Sequence, residues 1–335
     1  MRDVPAWDGP FEADALPGDL LTAQRPYIVR GGFSHWPVVQ AARDSDVALA
    51  RYLMGLYNGT RVGLFQMEPE ARGRVFYADE TLSGFNFNRY AATLDQVLTG
   101  LLGLVHTPEP PALYVGSTTV EAVLPGFMAA NRMGLGERDA LLSLWLGNRT
   151  RIAAHYDLPY NFAVVAAGRR CFTLFPPEQL HNLYMGPLDP TPAGQPISLV
   201  DFAAPDLQRF PRFAQAWEAG EQAVMEPGDA LFIPSMWFHH VEALAPVNLL
   251  INAWWRPTPE YMDSPLSTLR LALMTLRDLP EHERRIWAHH FRHFVFEADQ
   301  ATWAHLPEAA RGLLGPLDET VSRQARAHLL NQLKR

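Results

Sequence analysis

Between residues 112 and 255 the chain breaks into short apolar runs, each closed by Gly, Pro, Asn or Asp, and this rhythm constrains the fold most. The runs are 112–115, 141–146, 151–156, 161–166, 170–175, 222–225, 229–233, 237–242 and 248–255. They have strand length, not helix length, and many such strands separated by turn residues predict an antiparallel sandwich or barrel. Pro227-Gly228-Asp229 illustrates the punctuation, a turn leading into the buried strand Ala-Leu-Phe-Ile.

Two of these runs carry metal-ligand residues. His155-Tyr156-Asp157 sits at the end of one, and His239 lies in Trp237-Phe238-His239-His240-Val241-Glu242. Residues i and i+2 of a strand face the same way, so His155 and Asp157 can reach one ion while Tyr156 turns aside. A third ligand from a distant strand closes the set. Two imidazoles and a carboxylate are the facial triad that holds non-haem Fe(II) and leaves positions open for substrates. A His-X-Asp tripeptide alone is weak, because twelve histidines in 335 residues give chance matches. Trp237 and Phe238 beside His239 add a setting that keeps water from a reactive metal. His240-Val241-Glu242 is a competing pair, which alternation places on the face opposite His239.

Composition bounds the rest. Hydrophobic residues at 48% and charged residues at 19% describe a globular chain with a sizeable core. A formal charge of −8 without any Lys/Arg-rich run argues against a general nucleic-acid binder. Cys171 is the only cysteine, which excludes an internal disulfide and suits a reducing compartment. The Pro-broken, acidic start does not read as a signal peptide, and no apolar stretch reaches membrane-spanning length, so the expected location is the cytoplasm and no membrane partner is expected.

Upstream of the strands, 26–30 reads as a short strand, and 36–55 and 93–104 as helices. The insert 176–219 is loop-rich and opens as a helix after proline. Beyond Pro257 the period becomes helical over 264–279, 280–298 and 318–333, with Ser, Pro and Asp at the starts. The expected domains are therefore 1–256, including an N-terminal covering segment, and a helical region 257–335.

Several motifs in order resemble a known family. His155-Tyr-Asp157, Asn161-Phe162, Gly168-Arg-Arg-Cys-Phe-Thr-Leu-Phe-Pro-Pro177, Gly228-Asp-Ala-Leu-Phe-Ile-Pro234, Trp237-Phe-His239-His-Val-Glu242 and Asn252-Ala-Trp-Trp255 are similar to the cupin-like Jumonji-C oxygenases. The likeness is greatest to the subgroup of the asparaginyl hydroxylase that inhibits the hypoxia-inducible factor. It covers about residues 110–256 well and the helical tail loosely. It implies a mainly β fold with flanking helices, a double-stranded β-helix or jelly roll, that binds Fe(II) and the co-substrate 2-oxoglutarate in its mouth. By the same resemblance His155, Asp157 and His239 are the iron ligands, and Tyr114, Asn161, Arg170 and Asn252 line the co-substrate site. It further implies a dioxygenase acting on a protein side chain or a small molecule, and a homodimer formed through the C-terminal helices.

Two positions depart from those relatives. Arg170 stands where they have a lysine for the distal carboxylate of 2-oxoglutarate, and Ile152 replaces a threonine. Arginine grips a carboxylate with two parallel hydrogen bonds but is not interchangeable with lysine. An intact carboxylate at Asp157 favours hydroxylation, or demethylation through a hydroxylated intermediate. A non-oxidative metal enzyme and a non-catalytic binding module on the same scaffold stay open, because a fold does not fix a function.

Overall fold

A computed structural model of the protein describes residues 1–192 and 194–334, and the chain divides into two compact units, Met1–Arg256 and Pro257–Arg335. Among the described residues fourteen strands form two sheets. The N-terminal segment supplies β1 (Arg2–Asp3), β2 (Tyr27–Val29), β3 (Val62–Met67), β4 (Arg74–Val75) and β5 (Asn88–Ala92). Then follow β6 (Ala112–Thr119), β7 (Leu141–Gly147), β8 (Arg151–Tyr156), β9 (Tyr160–Ala167) and β10 (Arg170–Phe175). The last four are β11 (Glu221–Met225), β12 (Ala230–Ile233), β13 (Phe238–Ala243) and β14 (Asn248–Trp255).

The six-stranded sheet runs β1-β11-β10-β13-β8-β4 and the eight-stranded sheet β2-β12-β9-β14-β7-β6-β3-β5. From β7 to β14 the chain keeps crossing between the sheets, and all pairings among these eight are antiparallel. That is the jelly roll, or double-stranded β-helix, and the first unit is mainly β with flanking helices.

Alternation along each strand sorts side chains between barrel interior and outside. Ala163, Val165, Phe172, Leu174, Leu231 and Ile233 fill the interior. The outer face of the larger sheet is apolar too, because N-terminal helices cover it: Phe162, Val164 and Ile251 pack with Trp36, Leu49 and Leu101. Outside the smaller sheet, Phe175 and Phe238 pack against Leu183, Phe202 and Phe213 of the insert. Burial on both faces explains why these strands read as nearly continuous apolar runs.

Local chemistry fixes several boundaries. The helix expected over 36–55 is two helices, Pro37–Asp44 and Asp46–Leu56, because Ser45 is extended and its hydroxyl accepts from Ala48 N at 3.1 Å. A serine there caps the second helix better than it continues the first. Thr93 and Gln96 form a capping box on Leu94–Leu104. Gly168 takes φ +72° in the turn between β9 and β10, where a Cβ would collide with the side chain of Asn248. The insert holds a short 3₁₀ helix, Pro177–His181, and an α-helix, Phe213–Ala219.

The second unit contains the helices Pro265–Thr275, Glu281–Phe291 and Glu319–Leu333. No helix of the described residues is long and apolar enough to cross a membrane.

Candidate metal centre

His155 and His239 are directly opposed across β8 and β13, with ring centroids 4.3 Å apart. A β-bulge builds this pairing. His239 pairs with His155 and Val241 with Ile152, so Ala153 and Ala154 together oppose His240. The extra residue lets Ile152 and His155 both face the interior despite their odd spacing, a use of bulges found beside functional sites. Asp157 lies one residue past the end of β8, and Met236 N donates to its carbonyl at 2.9 Å. Ser235 Oγ donates to the carbonyl of Leu158 at 2.6 Å, so the two segments that carry the ligands are tied together.

One ligand atom from each of His155, Asp157 and His239 lies within 4.8 Å of the others. His155 Nδ1 is 2.9 Å from the carbonyl of Ala153, and His239 Nδ1 is 3.1 Å from that of Trp237. A carbonyl only accepts, so each Nδ1 carries the proton and each Nε2 presents a lone pair. Burial, then the neighbouring His239, lowers the pKa of His155 to about 4, which keeps the ring neutral and able to ligate. His239 Nε2 is 3.5 Å from Asp157 Oδ2, too long for a good hydrogen bond, and Oδ2 is buried without a partner. A buried carboxylate oxygen with no donor, facing two imidazole lone pairs, fits a divalent cation.

His240 points the other way. It pairs with Thr173, its Nε2 is 2.9 Å from Glu242 Oε1, and its ring lies 4.5 Å from that of Phe202 outside the barrel. The His240-Val241-Glu242 pair is thus an outer-face contact.

The three ligands open into a cavity of about 490 Å³ that is also lined by Tyr114, Asn161, Arg170 and Asn252. Arg170 is 2% exposed, its Nε has no partner, and its Nη2 reaches only the carbonyl of Trp145 at 3.4 Å. Burial lowers its pKa to about 10, still well above neutral, so the guanidinium stays charged. Burial beside it raises the pKa of Tyr114, whose hydroxyl therefore remains a donor. Trp145 Nε1 donates to Asn252 Oδ1 at 2.7 Å, and Asn252 Nδ2 donates to Asn161 Oδ1 at 3.1 Å. An indole N–H only donates, so this chain fixes both amides and leaves the NH₂ of Asn161 for the cavity. Ile152 lines the same wall.

Sequence reasoning missed other lining residues. Trp145 was hidden in an apolar run and Trp254 in a terminal aromatic pair. Phe65 and Arg89 come from β3 and β5, strands absent from the sequence reading.

A family model described as a cupin-like domain matches residues 13–261, and the chain belongs to that family. It is 32% identical over 149 residues to tRNA wybutosine-synthesizing protein 5 of Gallus gallus, covering 40% of this chain and 44% of that one. It is 30% identical over 129 residues to lysine-specific demethylase JMJ31 of Arabidopsis thaliana, covering 37% and 23%. With HSPB1-associated protein 1 of Rattus norvegicus the identity is 31% over 149 residues, covering 43% and 30%. The chain thus spans less than half the length of these curated relatives. They point to the wider Jumonji-C-like group rather than to the asparaginyl hydroxylase subgroup in particular.

Proposed function

We propose that the protein is an Fe(II)- and 2-oxoglutarate-dependent dioxygenase that hydroxylates a side chain or a small molecule. The observation that carries this reading is Arg170, a buried cation with no ion pair among the described residues, in the cavity that holds the His155/Asp157/His239 cluster. A buried charge is costly unless something balances it, and 2-oxoglutarate brings a distal carboxylate suited to a guanidinium. On β10 the residue opposite His239 is Leu174, four positions from Arg170, or roughly 13 Å of strand before the arginine side chain reaches back. That leaves room for an extended dicarboxylate between the cluster and the guanidinium.

In this reading His155, Asp157 and His239 hold the iron, Arg170 and Tyr114 bind the distal carboxylate, and Asn161, braced by Asn252, orients the co-substrate. With dioxygen, the bound iron and 2-oxoglutarate supply the oxidant for a C–H bond, with succinate and CO₂ as co-products. The protein contributes fixed ligands, orientation and a wall of Trp145, Trp254 and Phe65 that excludes water. Anaerobic titration with Fe(II) and 2-oxoglutarate is expected to produce a visible metal-to-ligand charge-transfer band. Iron uptake without the band would put a different co-substrate at Arg170, and no iron uptake would overturn the oxygenase reading.

We also propose that the second unit pairs with that of a second copy. Among its described residues only Thr302 is buried, while Met274 and Phe296 are each 78% exposed and Ile286, Trp287 and Leu330 are exposed too. Apolar exposure on this scale marks an interface, and a second copy closes one with two-fold symmetry. The full chain is expected to sediment as a dimer and a chain ending at Arg256 as a monomer. A monomeric full chain would remove the proposal.

A further inference from the structure

Besides the His155/Asp157/His239 cluster, only two formally charged side chains among the described residues line the cavity, and both are arginines. Among the described residues Asp157 is its only carboxylate. Arg170 is the deep one. Arg89 is exposed on β5, an edge strand paired only with β3, and its guanidinium lies 4.4 Å from the centroid of the Phe65 ring opposite it. From there an aromatic row leads inward. Phe65 is 5.9 Å from Tyr114, Tyr114 stacks on Trp145 at 6.1 Å, and Trp145 meets Trp254 edge-on at 5.6 Å. The polar atom of Trp145 is taken up by Asn252, so Phe65 and Trp145 offer ring faces, while Trp254 Nε1 stays without a partner deeper in the wall.

Charge accounting then constrains the occupant, on the co-substrate reading given above. A divalent cation and Arg170 together balance Asp157 and the dianion 2-oxoglutarate, with both histidines neutral. Arg89 is left over. Among the described residues it has no carboxylate partner, and Asp157 is the one acidic side chain lining the cavity. We infer that the substrate moiety entering this cavity is a flat or apolar group bearing an anion, carboxylate or phosphate, which Arg89 receives at the mouth while the aromatic row takes the body. A methylammonium group fits this mouth less well, since it would meet Arg89 where, among the described residues, no carboxylate besides Asp157 lines the cavity to balance it. Stacking on Phe65 holds the guanidinium plane while leaving its edge donors free, as suits a bidentate grip on an oxyanion.

The test uses full-length protein saturated with Zn(II), as a redox-silent stand-in, and with 2-oxoglutarate. Calorimetric titrations with benzoate, phenyl phosphate and benzyltrimethylammonium are compared in wild type, Arg89→Ala and Arg89→Glu. The anions are expected to bind wild type at least about tenfold more tightly than the ammonium probe, a typical scale for one charge-assisted contact. Arg89→Ala should lose that preference and Arg89→Glu should invert it. Benzoate against phenyl phosphate tells which anion the mouth prefers. Equal binding of anion and ammonium by wild type, or anion binding unaffected in Arg89→Ala, would overturn the proposal.

The same titrations on metal-free Arg170→Ala protein read Arg89 without the co-substrate pocket. Anion binding that disappears there while surviving in Arg89→Ala would place the anion at Arg170 and also overturn it. Because Arg89 is outside the iron and co-substrate set, Arg89→Ala should keep the charge-transfer band. Loss of the band in wild type would count against the oxygenase reading alone.

Discussion

Replacing Arg170 with methionine is expected to weaken 2-oxoglutarate binding by at least about 30-fold while leaving the metal-free protein as stable as before or more so. The two effects have one cause. Arg170 is buried, its Nε is unsatisfied, and its best contact is a 3.4 Å approach to a carbonyl. Removing one member of a paired buried charge usually destabilises by leaving the partner alone, but here no partner exists among the described residues. Exchanging even a buried ion pair for apolar volume is often neutral or stabilising, by about 1–4 kcal/mol, and a buried charge without a partner has no Coulombic gain to lose. Losing the charge partner of a desolvated carboxylate costs about 2–5 kcal/mol of binding, or roughly 30- to 5,000-fold in affinity. Arg170→Lys should retain binding within about tenfold, because a point charge replaces the fork without leaving the anion unpaired. Denaturant melts and titration of the charge-transfer band measure both sides. A methionine variant that binds 2-oxoglutarate as wild type does would refute the assigned role, and one that unfolds would mean that Arg170 is structural.

The eight barrel strands and the cluster residues were legible in the sequence because strand length, turn residues and i, i+2 spacing are local signals. The runs 151–156, 170–175 and 248–255 coincide with β8, β10 and β14. The bulge at Ala153 and Ala154 was not legible, since two alanines in an apolar run carry no mark of the partner strand that forces them to share one position. β3, β4 and β5 were missed for a related reason. β3 and β4 are paired by long-range contacts with β6 and β8 and β5 only with β3, and Asn88-Arg-Tyr-Ala-Ala92 is an exposed edge with no apolar alternation to announce it. The resemblance placed Arg170 at the co-substrate site, but only the fold shows that it is buried without an ion pair. The tryptophans were visible as composition, yet which side of a strand each faces depends on register.

Asp157→Ala is expected to reverse its effect on stability when metal is added. Without metal, Asp157 Oδ2 is a buried acceptor lacking a donor, and His239 Nε2, 3.5 Å away, bears a lone pair in the tautomer fixed by the Trp237 carbonyl. An unsatisfied buried group costs about 1–3 kcal/mol, so metal-free Asp157→Ala should melt at or above the wild-type temperature. With Fe(II), or Mn(II) as an air-stable substitute, wild type gains the linkage term, about 2.7 kcal/mol at a hundredfold excess over the dissociation constant. The variant gains almost none of it. Even groups that merely orient metal ligands are worth 10- to 100-fold in affinity, so loss of the only anionic ligand should cost more than about 100-fold. His155→Ala should lose metal binding too, but without the metal-free gain, because His155 Nδ1 is satisfied by Ala153 and its ring packs on His239. Melting curves with and without metal separate the two variants. If Asp157→Ala were destabilised equally under both conditions, the carboxylate would be an ion-pair partner holding His239 in the barrel wall rather than a ligand awaiting a cation.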